Sequence, residues 1–319
     1  MTRAALLPAG ADPFLNAYWL RHYRTWADHV DELHIAVCGP IPPEVLDYTK
    51  AMVEDVPHAT MTHFPRREAH GQVLTYLLGT TQADHVMLIE DDAFIREPSA
   101  IDDAFVALER HEHDLIGCPR DGYASANVIA AAHKEFGPEP RGLAFWPCFL
   151  FTSREALEAT DRTFDGKHWA IGDTVLGEPL VAEGSADTFI WASYQLRAQG
   201  LDVSLRDGFR LGDPITPDAP WFHVGSLSSG HGWSWMNAAS TEEWRLSEIH
   251  HWSLLPRGET VKRMAWWQRA WDHWDGAIPD YHEAYGEGIR QFMTDFGVSQ
   301  DDVDFARASF DYLVTWAES

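Results

Sequence analysis

The chain has 319 residues, 45% of them hydrophobic and 23% charged, and a formal charge of −25. That is room for one large α/β domain with an appendage, or for two domains. So negative a chain disfavours broad electrostatic binding to nucleic acid or an anionic membrane. No stretch approaches the roughly 18 uninterrupted apolar residues of a membrane span. Met1-Thr2-Arg3 runs straight into a short strand instead of a signal-peptide core, so a cytoplasmic protein is expected. Cys38, Cys118 and Cys148 are odd in number, far apart and set among apolar neighbours. They read as buried reduced thiols, not as disulfides or a zinc site.

Residues 4–8 form a short apolar strand that ends at the turn Ala9-Gly10-Ala11-Asp12. Asp12 followed by Pro13 is a helix-start signal, and Phe14, Ala17, Tyr18, Leu20 and Tyr23 supply the apolar face. A second strand over 33–39, a helix over 42–54, a third strand over 59–64 and a helix over 68–82 follow. This repeating βαβ rhythm predicts parallel strands with right-handed crossovers.

The next strand carries the most informative feature. Val86 to Ile89 are all apolar, as in a strand buried on both faces, and Glu90, Asp91 and Asp92 follow at its carboxyl end. In an open α/β sheet that edge is where ligands bind. Three adjacent carboxylates repel one another, and a hard divalent cation carrying phosphate oxygens relieves the repulsion. The plainer alternative is a solvated acidic turn.

Strands are expected over 114–119 and 143–151, with a loop around a short helix between them and a helix starting at Ser153. Residues 161–184, rich in Gly and Asp, read as a mobile surface segment. From 187 to 200 the apolar spacing is helical, and Asp187 falls at its start, where it can cap the helix or face the cleft as a proton acceptor. Farther on, His223 sits among Trp221, Phe222 and a Gly- and Ser-rich run, and its neutral imidazole can complete a metal's coordination shell.

After about Thr241 the pattern turns helical: Met264, Trp267, Trp271 and Trp274 form one stripe, Tyr281, Tyr285, Ile289, Phe292 and Phe296 a second, and Val303, Ala306, Phe310 and Leu313 a third. Ser299 and Asp302 resemble a capping box. The expected division is a sheet domain over 1–240 and an aromatic-rich helical region over 241–319. Arg257, Lys262, Arg263 and Arg269 offer a local basic strip near the helical region, against the plainer reading of a solvated helix face.

Together these residues resemble the GT-A fold of nucleotide-sugar glycosyltransferases, especially the inverting family-2-like group, over residues 4–226. The resemblance implies a mixed Rossmann-like α/β sheet flanked by helices. Glu90-Asp91-Asp92 stands where that family has Asp-x-Asp, which implies Asp92 as a ligand of Mn2+ or Mg2+ and Glu90 facing the ribose. His223 matches a later histidine of the metal site, and Asp187 matches the general base. Pro8, Ala9, Gly10 and Asp12 would lie against the nucleotide base, with Arg66, Arg67 and Asp91 also on the nucleotide side. The implied reaction is direct displacement of a nucleoside diphosphate by an acceptor hydroxyl, with inversion at the sugar carbon. Trp146-Pro147 and the loop through Gly172-Asp173 are expected on the acceptor side.

The chain departs from the family at two points: the acidic motif opens with Glu, and Ala186 replaces the acid before Asp187. No Gln-x-x-Arg-Trp signature is present, which argues against a processive synthase. Two other classes compete. A metal-dependent nucleotidyl- or phosphotransferase would carry a glycine-rich phosphate loop, of which Pro8-Ala9-Gly10-Ala11 is a poor version. A carbohydrate-binding protein would display some of the 15 tryptophans as an exposed platform, but most C-terminal ones have core spacing. The acceptor is left open among small metabolites, glycans, proteins and modified nucleic acid bases.

Overall fold

The computed structural model describes residues 1–10, 13–39, 43–66, 68–120, 122–137, 142–206, 209–210 and 220–223, with scattered positions between 261 and 308. The first half keeps the expected alternation: β1 (Arg3–Gly10), α1 (Pro13–Tyr23), β2 (Glu32–Cys38), α2 (Pro43–Glu54), β3 (Ala59–Phe64), α3 (His70–Thr80) and β4 (His85–Ile89). Then come β5 (Ala93–Ile95), α4 (Ser99–Glu109), β6 (Leu115–Pro119), α5 (Ala126–Phe136), β7 (Phe145–Ser153) and α6 (Arg154–Glu158). Four short strands follow: β8 (Lys167–Trp169), β9 (Thr174–Val175), β10 (Glu178–Pro179) and β11 (Gly184–Ala186). The described elements end with α7 (Ile190–Ala198), β12 (Val203–Leu205), β13 (Phe209–Arg210) and β14 (Trp221–His223).

The main sheet has seven strands in the order β12-β6-β7-β4-β1-β2-β3. Its neighbours are parallel except at β7, which runs antiparallel to both β4 and β6. The fold class is therefore the mixed α/β sheet that the resemblance implies. β4 lies at its centre, and Val86, Met87, Leu88 and Ile89 are fully buried, as their uninterrupted apolar run requires. On one side Leu6, Val86 and Leu88 pack with Val73, Leu74, Leu77 and Leu78 of α3. Phe149 and Phe151 of β7 pack edge to face 4.9 Å apart; Phe151 meets Phe105 of α4, and Phe149 stacks on Trp221 of β14 at 4.7 Å.

Two expectations change. β1 runs on through Pro8, Ala9 and Gly10, pairing with Ala36, Val37 and Cys38, so the turn does not begin at Ala9. Residues 167–186 are not a loose surface loop: β8 pairs with β11 and β9 with β10 as nested hairpins. Trp169, Val175 and Leu180 of this arm share a core with Val128, Ala131 and Ala132 of α5 and with Ile190 and Tyr194 of α7. Its glycines serve turns, Gly172 and Gly177 having φ of 90° and 81°.

The capping box is present: Asp302 N donates to Ser299 Oγ (3.2 Å) and Ser299 N to Asp302 Oδ2 (3.3 Å). Most of the expected C-terminal stripes, the basic strip and the boundary near 240 lie outside the described residues. The three cysteines form no disulfide, with Cys118 and Cys148 buried and Cys38 half-buried. Among the described residues no helix is long and apolar enough to cross a membrane.

Candidate active site

Glu90, Asp91 and Asp92 make the turn from β4 into β5, closed by Ala93 N donating to Glu90 O (3.0 Å). The three carboxylates do not share one environment. Asp91 is fully buried, and its Oδ2 accepts from Gly10 N at 2.7 Å. It ties the end of β1 to the end of β4, so the carboxylate expected on the nucleotide side makes this strand-joining bond. Asp92 and Glu90 turn instead toward His223.

The position of His223 follows from pairing that joins distant parts of the chain. β14 runs antiparallel to β5 with His223 opposite Ala93, next to Asp92. Its Nε2 lies 2.9 Å from Asp92 Oδ1 and 3.1 Å from Glu90 Oε2. Burial alone would depress the imidazole's pKa, but Asp92 and then Glu90 override it and push it up to about 10. In the metal-free protein the imidazolium proton is thus the cation that holds the two acids together. His70, at the start of α3, places Nε2 3.7 Å from the other Glu90 oxygen.

The donor set suits a divalent cation. Two carboxylates and an imidazole converge, His223 Nδ1 is buried without a hydrogen-bond partner, and one donor atom each of Glu90, Cys148 and His223 lie within 4.8 Å of one another. Cys148 is there because β7 is antiparallel: Ile89 pairs with Phe149, so the next residue outward on each strand is Glu90 on one side and Cys148 on the other.

The same reversal brings the N-terminal end of β7 to the carboxyl ends of β4 and β6. Arg120, just past β6, is buried and lies over two rings, with Cζ 4.0 Å from the centroid of Trp146 and 4.5 Å from that of Tyr123. The Arg120 guanidinium donates to Asp187 Oδ2 at 2.5 Å and to Thr188 O at 2.8 Å. Trp146 in turn lies 5.5 Å from the His223 ring, centroid to centroid. A continuous line of contacts therefore runs from Asp187 through Arg120, Trp146 and His223 to Asp92. Asp187 itself is not the helix cap. α7 begins at Ile190 after Phe189 in the left-handed region (φ 66°), and Asp187 lies in the turn beyond β11 with its side chain 52% exposed.

Other expected site residues are dispersed. Pro8 and Ala9 are buried in β1, and only Gly10 reaches its edge. Arg66 is exposed beyond β3, on the same edge of the sheet but three strands from β4, about 14 Å away at ordinary strand spacing. Asp12 and Arg67 lie outside the described residues. Gly172 and Asp173 lie in the connection between β8 and β9, where Gly172 N donates to Leu180 O (2.9 Å). Sequence reasoning missed Arg120, Tyr123, His70 and the placement of Cys148. Arg120 had a usable signal, since Leu115–Pro119 is a strand and Arg120 follows its carboxyl end as Glu90 follows β4.

No protein-family model matches the chain, and no curated protein matches it. Among solved structures, glucosyl-3-phosphoglycerate synthase from Mycobacterium tuberculosis in complex with phosphoglyceric acid is similar at 22% identity and a TM-score of 0.38, covering 50% of this chain and 58% of that one. The same synthase in complex with Mn2+ and UDP-glucose gives 21% and 0.37, over 50% and 58% of the two chains. A protein from Desulfovibrio desulfuricans G20, described as a nucleotide-diphospho-sugar transferase, gives 12% and 0.38 over 64% and 80%. The match thus spans less than two thirds of the synthase's length.

Proposed function

We propose that the chain is a divalent-cation-dependent glycosyltransferase, moving a sugar from a nucleoside-diphosphate sugar to an acceptor hydroxyl with inversion, in the cytoplasm. One observation carries this reading. Asp92, Glu90 and His223 converge at the ligand-binding edge of the sheet, and a contact line joins them to a half-exposed carboxylate, Asp187. Asp92 and His223 would hold Mn2+ or Mg2+ with Glu90 beside them. When bound, the cation supplies positive charge against the departing diphosphate. Asp187 takes the proton of the acceptor hydroxyl as its oxygen bonds to the anomeric carbon and the bond to diphosphate breaks. Attack opposite the leaving group inverts the sugar. Arg120 fixes the Asp187 carboxylate, while its half-exposed side chain stays open to an arriving acceptor.

Two observations weigh against the competing classes. Pro8, Ala9 and Gly10 continue β1 and form no phosphate loop. Trp19, Trp26 and Trp221 are buried in packing, and no described tryptophan is exposed as a sugar platform.

A thermal-shift panel of nucleoside diphosphates with and without Mn2+ tests the proposal. One nucleotide is expected to stabilise the protein only with the metal, by about 2.7 kcal/mol at a hundredfold excess over its Kd. A flat panel overturns the proposal. Turnover releasing pyrophosphate in place of nucleoside diphosphate would move it to the nucleotidyltransferases.

The His223 pair adds a pH dependence. A folded pKa raised from 6.5 to about 10 contributes stability that is fully present below pH 6.5 and is lost as pH rises through about 10. The metal-free protein should lose Tm across that interval, and Mn2+ should blunt the loss by taking the proton's place. Its affinity should climb with pH, by up to about tenfold per unit while one proton is displaced. Tm measured from pH 6.5 to 9.5 with and without Mn2+ checks both signs.

A further inference from the structure

Sugar transfer needs no thiol, yet Cys148 lies against the metal ligands. It is wholly buried, forms no disulfide, and has its Sγ within 4.8 Å of donor atoms of both Glu90 and His223. A buried cysteine is ordinarily an inert small hydrophobe, but this one faces carboxylates across the β4–β7 register. A thiol that coordinates a cation gives up its proton on binding. Carboxylate and water oxygens suit Mn2+ and Mg2+, whereas thiolate selects softer ions.

We propose that Cys148 adds a sulfur ligand to the site of Asp92, Glu90 and His223, so that this site takes a thiophilic divalent cation, Zn2+ or Co2+, in competition with Mn2+. The idea rests on the metal site of the proposed function and adds its selectivity. On binding, the S–H bond of Cys148 breaks and a sulfur–metal bond forms. The thiol proton and that of His223 pass to solvent, and no electron is transferred.

The test is a Co2+ titration of the full chain followed by absorption, with calorimetry in parallel for Co2+, Zn2+ and Mn2+. The wild-type protein should develop a sulfur-to-cobalt charge-transfer band in the near ultraviolet, saturating at one equivalent and erased by Zn2+. Cys148→Ser should bind Co2+ without that band and weaken Zn2+ by about tenfold or more, with little change for Mn2+. Cys118→Ser should keep the band. If Cys148→Ser is poorly folded by circular dichroism, Cys148→Ala serves the same comparison. Calorimetric Co2+ binding to the wild type without the band overturns the thiol ligand and leaves the metal site standing. Absence of binding by all three cations overturns both.

Discussion

Asp92→Asn is expected to weaken Mn2+ binding by at least about 100-fold and to abolish the metal-dependent stabilisation by nucleoside diphosphate. The amide keeps the side chain's shape and can still accept from His223 Nε2, now 2.9 Å from Asp92 Oδ1, so what is removed is mainly the negative charge. The metal-free protein should also lose stability. Breaking a buried pair from one side costs about 3–5 kcal/mol, and the retained hydrogen bond sets this variant toward the lower end. With one carboxylate fewer, His223 should titrate closer to its ordinary range, which flattens the fall of Tm with rising pH. Asp91→Asn is the informative neighbour. It weakens the 2.7 Å bond from Gly10 N and should lower Tm while leaving Mn2+ affinity close to wild type. Equal loss of metal in the two variants, measured by calorimetry, would displace Asp92 from the role given to it.

Asp187→Asn should lower kcat by about 10²–10⁴ while nucleotide and Mn2+ affinities stay near wild type. The separation arises because, among the described residues, the line from Asp187 to His223 and the two acids beside it passes through Arg120 and Trp146. An amide in its place can still meet Arg120 with its oxygen but cannot take up a proton. Release of nucleoside diphosphate from a sugar donor carrying the nucleotide that the thermal-shift panel selects, with water or an added sugar as acceptor, reads kcat, and the panel itself reads donor binding. A variant with full turnover would remove Asp187 from the chemistry, and the half-exposed carboxylate would then be a clamp for Arg120 alone.

Much of the sheet could be read in the chain because its causes are local. Val86 to Ile89 are apolar without interruption and become the buried central strand, and the βαβ spacing before them gives the parallel half of the sheet. The acids at the carboxyl end of β4 were visible for the same reason. Their division of labour was not. Asp91 and Asp92 are chemically identical neighbours, and the arrival of Gly10 beside one and His223 beside the other separates a strand tie from a carboxylate paired with an imidazole. The segment over 161–184 reads as a mobile surface stretch because seven of its 24 residues are Gly or Asp. Trp169, Val175 and Leu180 are too sparse to show a period until α5 and α7 supply the rest of their core.

By itself, the sequence determined the central strand, the charge at its end and the alternation of helix and strand, each set by residues within a few positions of one another. Tertiary structure alone decided that β7 enters antiparallel and that β14 pairs with β5, and with these it decided the neighbours of Glu90 and Asp92. His223 meets Asp92 across 131 positions of chain, and Arg120 meets Asp187 across 67. Local periodicity says which face of a strand is apolar, but the partner of that strand is chosen by packing of the whole sheet, for which no neighbouring residue carries a signal.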